Sequence, residues 1–111
     1  MKLDQLIKNL RVEKIIGSLD LDITDVKIDS RSICNGNLFV ALKGVDSDGA
    51  DYISQAETYG AVAVVTEREL QTHLTQIIVK NARKELSNLA ISFYKNNLNK
   101  GYNSAYKTWL E

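Results

Sequence analysis

Leu38-Phe39-Val40-Ala41-Leu42 is an unbroken apolar run, entered through Asn35-Gly36-Asn37 and left through Lys43-Gly44. Asn-Gly is a strong turn signal. A continuous run of strand length, without alternation, indicates a strand buried on both faces, as in the middle of an α/β sheet. A polar, turn-rich loop follows over residues 43–49. Tyr52, Ile53, Ala56 and Tyr59 then recur at helical spacing, and Gly60 is placed to stop that helix. Ala61-Val62-Ala63-Val64-Val65-Thr66 is a second buried-strand run. Strand 38–42, helix 51–59 and strand 61–66 together predict a right-handed crossover between parallel strands.

Further strands and helices extend this unit on both sides. Gln76-Ile77-Ile78-Val79 is a third buried strand, and Val26 and Ile28 alternate in a strand that ends at Asp29-Ser30-Arg31. Leu19, Leu21 and Ile23 alternate with Asp20, Asp22 and Thr24, a weaker strand signal. Leu3, Leu6, Ile7 and Leu10 predict a short amphipathic helix over residues 3–10. Asn81 is placed to cap a final helix with the stripe Leu86, Leu89, Ala90 and Phe93, fraying around Asn96-Asn97. The expectation is an α/β fold: a three-layer domain with a small mixed β-sheet flanked by helices. The sheet is expected to be mixed because the early strands have short connections. Residues 1–98 form the domain. Residues 99–111 form a tail in which Tyr102, Tyr106 and Trp109, spaced i, i+4, i+7, could line one face of a short helix.

The chain has 111 residues, 14 Lys+Arg against 14 Asp+Glu, 44% hydrophobic and 25% charged residues. This is ordinary globular composition. A chain of this size buries roughly 60–70% of its unfolded surface, enough for one core but not two domains. Balanced charge argues against a nucleic-acid partner or a polybasic membrane anchor. No apolar run reaches the ~20 residues of a membrane span, and Asp4 interrupts the place where a signal peptide would be apolar. The expected location is the cytoplasm. With Cys34 as the single cysteine, neither an internal disulfide nor a multi-cysteine metal site can form.

Catalytic signatures are sparse. There is no Gly-x-x-x-x-Gly-Lys-Ser/Thr phosphate loop and no Gly-x-Gly-x-x-Gly. His73, the one histidine, lies in a polar connector and reads as solvent-exposed. Cys34 reads as a small half-buried thiol. Asp46, Asp48 and Asp51 resemble a calcium loop only superficially and suit a helix N-terminus better. Ile28-Asp29-Ser30-Arg31 is more informative. It lies where a strand runs out into a loop, the position at which open α/β sheets bind ligands. Hydroxyl, carboxylate and guanidinium there can meet a carbonyl, a phosphate or a base edge. The same residues also suit a surface turn with an Asp29–Arg31 pair.

Asp29-Ser30-Arg31, then Gly36-Asn37-Leu38-Phe39-Val40-Ala41-Leu42-Lys43-Gly44, then Asp48-Gly49, Tyr52-Ile53, Ala56 and Gly60-Ala61-Val62-Ala63-Val64-Val65 form an ordered string. It resembles the N-terminal domain of the Mur ligases. Val79-x-Asn81-x-Arg83 and Ile91-Ser92-Phe93-Tyr94 resemble the MurE-type branch of that family, and the resemblance covers residues 3–98. It implies an enzyme of peptidoglycan synthesis that adds lysine or meso-diaminopimelate to UDP-MurNAc-L-Ala-D-Glu, through an acyl phosphate, with ATP and magnesium. It also implies that the N-terminal domain holds the UDP end, while ATP and magnesium bind a central domain. No cofactor is then expected on this chain. Substrate contacts carry over to Ser30, Ile28, Val45, Asp46 and Ser47, supported by Asp29, Arg31 and Gly44. Ser30 stands out because a hydroxyl both donates and accepts.

Two departures from the family pattern are visible. Ala50 stands where the family often has histidine or arginine. Residues 101–109 do not resemble the strand and ATP loop that the family has after its Phe-Tyr helix. The chain alone is therefore expected to be inactive as a ligase: a nucleotide-sugar-binding domain with weak affinity for UDP-MurNAc-L-Ala-D-Glu. The alternative is an interaction module that self-associates through Tyr102, Tyr106 and Trp109. An unrelated small enzyme is the least supported reading.

Overall fold

A computed structural model describes residues 1–44 and 47–99. Its centre is a five-stranded sheet built from β1 (Val12–Ile16), β2 (Asp25–Lys27), β3 (Asn37–Val40), β4 (Ala63–Thr66) and β5 (Thr75–Val79), in the order β1-β5-β4-β3-β2. β2, β3, β4 and β5 run parallel to their neighbours, and β1 is antiparallel to β5. The helices are α1 (Leu3–Leu6), α2 (Ile53–Tyr59) and α3 (Ala82–Asn99). Every residue of β3, β4 and β5 is buried, as the apolar runs required.

The period-two alternation of the strands sorts side chains into two cores. Leu38, Val40, Ala63, Val65, Ile77 and Val79 face α1 and α3, where Leu3, Leu6, Leu89 and Phe93 meet them. Phe39, Ala41 and Val64 face the other way, onto Ala56 of α2 and Ile33, Ala50, Ala61 and Leu74. The expected three layers are therefore present, α1 and α3 on one face and α2 on the other. One buried polar residue in β5 is satisfied locally. Gln76 accepts the Leu70 N–H at 2.8 Å and donates to the Leu70 carbonyl at 3.1 Å.

Several elements differ from the sequence expectation. The sheet is mixed, but through the distant pair β1–β5; the short connection from β2 to β3 joins parallel strands. β1 itself carries no alternating signal, because its three central residues, Glu13, Lys14 and Ile15, are all exposed; its register against β5 also shifts between Val12 and Lys14. The first helix stops at Leu6 rather than running to Leu10. Residues 19–24 form only a bridge of Asp22 to Lys2, in which Leu3 N–H donates to Leu21 O and Ile23 N–H to Met1 O. Ile28 falls just beyond β2.

α3 begins as expected, with the Asn81 side chain accepting the Lys84 N–H at 3.1 Å. It continues through Asn96-Asn97 to Asn99. Two asparagines lack the propensity penalty of a glycine or proline and do not end a helix anchored by Leu89 and Phe93. The tail aromatics Tyr102, Tyr106 and Trp109 lie outside the described residues. No helix among the described residues is long and apolar enough to cross a membrane.

Candidate functional site

Because β2, β3 and β4 are parallel neighbours, the segments leaving their C-terminal ends emerge along one edge of the sheet. Among the described residues, this edge carries 28–32, 41–44, 47–49 and 66–68. Ligands of open α/β sheets bind at such edges.

After β2 the chain makes a 3-10 turn, Ser30–Ser32, capped by Asp29. The Asp29 carboxylate accepts the Arg31 N–H at 2.9 Å, and the Arg31 side chain through Nε at 3.0 Å and Nη2 at 2.8 Å. The Arg31 guanidinium, helped by the Arg31 N–H, holds the Asp29 carboxyl down at about 2. Asp29 is therefore a fixed anion bound to its own turn, and the pair is the turn-and-ion-pair arrangement weighed from the sequence. Ile28 is 43% exposed and presents an apolar surface beside it.

Ser30 is buried, and its hydroxyl donates to Gln55 Oε1 of α2 at 2.6 Å. Its proton is spent inside the protein, which leaves Ser30 Oγ with acceptor capacity only. The versatility expected of this hydroxyl is thus halved. Ser30→Ala should lower the unfolding free energy by about 1 kcal/mol, since it leaves Gln55 without its donor. Urea denaturation of the variant beside the unaltered chain measures this; an unchanged midpoint would refute the tether.

After β3 the chain turns back on itself. Gly44 N–H donates to Ser47 O at 2.8 Å, Gly49 N–H donates to Leu42 O at 2.8 Å, and Lys43 bridges Asp48. Gly49 is required by proximity: a Cβ there would stand 2.7 Å from Leu42 N and 2.8 Å from Leu42 O. Asp48 caps the 3-10 turn Gly49–Tyr52 that leads into α2, and accepts the Ala50 N–H at 3.0 Å. Its second oxygen accepts Arg68 Nη1 at 2.6 Å. The Arg68 hydrogen bond, with that of Ala50, lowers the Asp48 carboxyl below its usual range. A cavity of about 180 Å³ opens here, lined by Ala41, Lys43, Asp48, Thr66, Glu67 and Arg68.

Of the residues expected to touch substrate, Ile28 and Ser30 follow β2 and Ser47 follows β3; the supporting Asp29 and Arg31 share the first of these exits and Gly44 the second. Val45 and Asp46 are outside the described residues. Sequence reasoning found Asp48 as a helix cap but missed its partner Arg68, hidden in what reads as a polar connector. It also missed Gln55, whose only signal is its place one turn into a helix following the Asp-Gly pair.

Two other sequence candidates stand apart. His73 is exposed as expected, though its Nδ1 is 3.7 Å from Glu57 Oε2. That Glu57 carboxylate also accepts the Thr72 hydroxyl. Cys34 is exposed, not half-buried, because Ile33 takes the inward position and the chain turns outward into Asn35-Gly36.

Residues 22–101 match the family model described as Mur ligase family, catalytic domain. The chain belongs to the Mur ligase family. Its relatives include the UDP-N-acetylmuramoyl-L-alanyl-D-glutamate–2,6-diaminopimelate ligases of Alkaliphilus oremlandii and Bacillus licheniformis. The first is 43% identical over 96 residues, spanning 86% of this chain and 20% of that enzyme. The second is 41% identical over 95 residues, spanning 85% of this chain and 20% of that enzyme. The chain thus spans about a fifth of the length of these relatives. Among solved structures, MurF from Acinetobacter baumannii superposes with a TM-score of 0.71 at 24% identity, over 86% of this chain and 21% of that one. MurF from Thermotoga maritima, in complex with ADP, gives 0.55 at 32% identity over 60% of this chain and 16% of that one. The relatives are thus MurE-type enzymes, and the fold is shared with MurF.

Proposed function

We propose that this chain is the nucleotide-sugar-binding portion of a MurE-type ligase, holding the UDP end of UDP-MurNAc-L-Ala-D-Glu in the cytoplasm. The single observation that carries this reading is the 43% identity, along 96 residues, to an enzyme whose name specifies UDP-N-acetylmuramoyl-L-alanyl-D-glutamate. The geometry supports it. The described residues implicated by family resemblance, Ile28 and Ser30 after one strand and Gly44 and Ser47 after the next, follow adjacent parallel strands at one edge. Ile28 offers an apolar contact, and Ser30 Oγ an acceptor for an N–H or hydroxyl of the ligand.

In this reading ATP and magnesium bind outside this chain, whose sequence carries no Gly-x-x-x-x-Gly-Lys-Ser/Thr phosphate loop. The ligase step then requires residues outside this chain, whose own task is recognition.

Calorimetric titration of the folded chain with UDP-MurNAc-L-Ala-D-Glu tests the proposal. Weak, saturable binding is expected, with no turnover when ATP, magnesium and a diamino acid are added. Absence of heat at millimolar ligand would overturn it.

A further inference from the structure

Thr66, Glu67 and Arg68 leave β4 beside the loop that leaves β3. Thr66 is buried; its hydroxyl donates to the Arg68 carbonyl at 3.1 Å and accepts the Arg68 N–H at 3.4 Å. This local turn fixes the backbone from which two long side chains reach out. The Glu67 carboxylate accepts the N–H of Ala82, the first residue of α3, at 2.9 Å. Arg68 reaches Asp48 at 2.6 Å and stands 3.8 Å from Asp51. Residues 66–68 therefore brace two helical N-termini, that of α3 and that of the turn Gly49–Tyr52.

Asp48 divides its two oxygens between two tasks. Oδ1 caps its own turn through Ala50, and Oδ2 takes Arg68. Loss of Arg68 would leave the cap in place and release only the tether across the cavity. The side chain of Arg68 is 55% exposed. Exposed ion pairs add little to folding. A tether that orders a loop before ligand arrives, however, removes an ordering cost from binding. The value of this pair therefore falls on affinity.

We propose that Arg68 is a positioning residue for nucleotide-sugar recognition, holding the Ser47–Asp48 end of the β3 loop against the end of β4. This rests on the nucleotide-sugar reading above. The forked guanidinium suits the task because it can reach Asp48 and Asp51 from one planar group, which an ammonium does less well.

The test is an NMR titration of the full chain with UDP-MurNAc-L-Ala-D-Glu, comparing the unaltered protein with Arg68→Ala and Arg68→Lys. Arg68→Ala should bind about three- to fivefold more weakly, with a melting temperature within a few degrees of the unaltered chain. The free Arg68→Ala protein should show broadened Gly44 and Ser47 amide resonances. Arg68→Lys, which keeps the charge, should recover part of the lost affinity. Affinity of Arg68→Ala within twofold of the unaltered chain overturns the inference and leaves the nucleotide-sugar reading standing. So does a loss that tracks falling melting temperature in both variants. Absence of binding by the unaltered chain overturns both.

Discussion

Phe39→Ala should remove about 3–5 kcal/mol of folding stability, the largest effect expected of any single truncation here. The reason is the make-up of the layer that Phe39 enters. The buried core on the α2 side is Phe39 with Ile33, Ala41, Ala50, Ala56, Ala61, Val64 and Leu74, and the partly buried Ile53 and Leu70 pack against it. Four of those neighbours are alanines, which have no reach with which to close a void. Phe39 is 1% exposed and heads the fully buried side chains by volume. Its removal therefore combines lost transfer energy with a cavity that persists. A domain of this size holds about 5–15 kcal/mol in total, so the variant is left with little reserve. Urea denaturation reads the effect: the midpoint should fall by about 1 M or more while the slope is unchanged. Phe39→Leu, which keeps most of the volume, should lose far less. A loss below about 1 kcal/mol for Phe39→Ala would mean that the α2 layer is not packed as described.

That prediction rests on a feature the sequence announces. The continuous runs of 38–42, 61–66 and 76–79 are legible because burial on both faces leaves no polar positions to interrupt them. β1 was illegible for the opposite reason. It is an edge strand with Glu13, Lys14 and Ile15 all exposed, and a register shift disturbs its pairing. Its partner is β5, some sixty residues away in the chain, and no local pattern encodes that pairing. The bridge between Lys2 and Asp22 is similar. The alternation at Leu19, Leu21 and Ile23 is real, but the segment packs beside the N-terminus and does not join the sheet.

The candidate edge was legible in part. Asp29-Ser30-Arg31 reads as a strand exit and Asp48 as a helix cap from the sequence alone. What could not be read was which group each side chain would spend itself on. Ser30 faces Gln55 across twenty-five positions of sequence, and Asp48 faces Arg68 across twenty. The Asp48–Arg68 pairing arises from the parallel order of β3 and β4, which brings their exits together, and the Ser30–Gln55 pairing from the packing of α2 against the turn after β2. They decide the chemistry: Ser30 keeps acceptor capacity only, and Asp48 becomes a tethered cap, not a free carboxylate. A residue type at a strand end thus suggests a site, while its available lone pairs and protons follow only from the packing.

Gly60→Ala should lower stability by about 2–4 kcal/mol, from two separate causes. Gly60 ends α2 with φ +107, in the left-handed region that a side chain disfavours. From there its N–H meets the Glu57 carbonyl, and the Ala61 N–H returns to Ala56 O at 3.0 Å. The second cause is space. A Cβ on Gly60 would stand 2.8 Å from Asn35 Cα and 3.0 Å from Asn35 N, backbone atoms that cannot swing aside. The two causes are separable with Gly60→Asn. Asparagine tolerates the left-handed conformation better than alanine but carries the same Cβ. If conformation dominates, asparagine recovers most of the loss; if the clash with Asn35 dominates, it recovers little. The backbone distances favour the second outcome. Displacement of Asn35 would also strain the bond from Gly36 N–H to Gly60 O, 2.9 Å long, at the entry to β3. Thermal denaturation of both variants decides between these, and full recovery by asparagine would show that the contact yields. The turn at Asn35-Gly36 and the helix stop at Gly60 each have a local sequence signal. Their direct contact makes them one structural unit, so a change at the helix stop is expected to be felt at the start of the strand on which the candidate site is built.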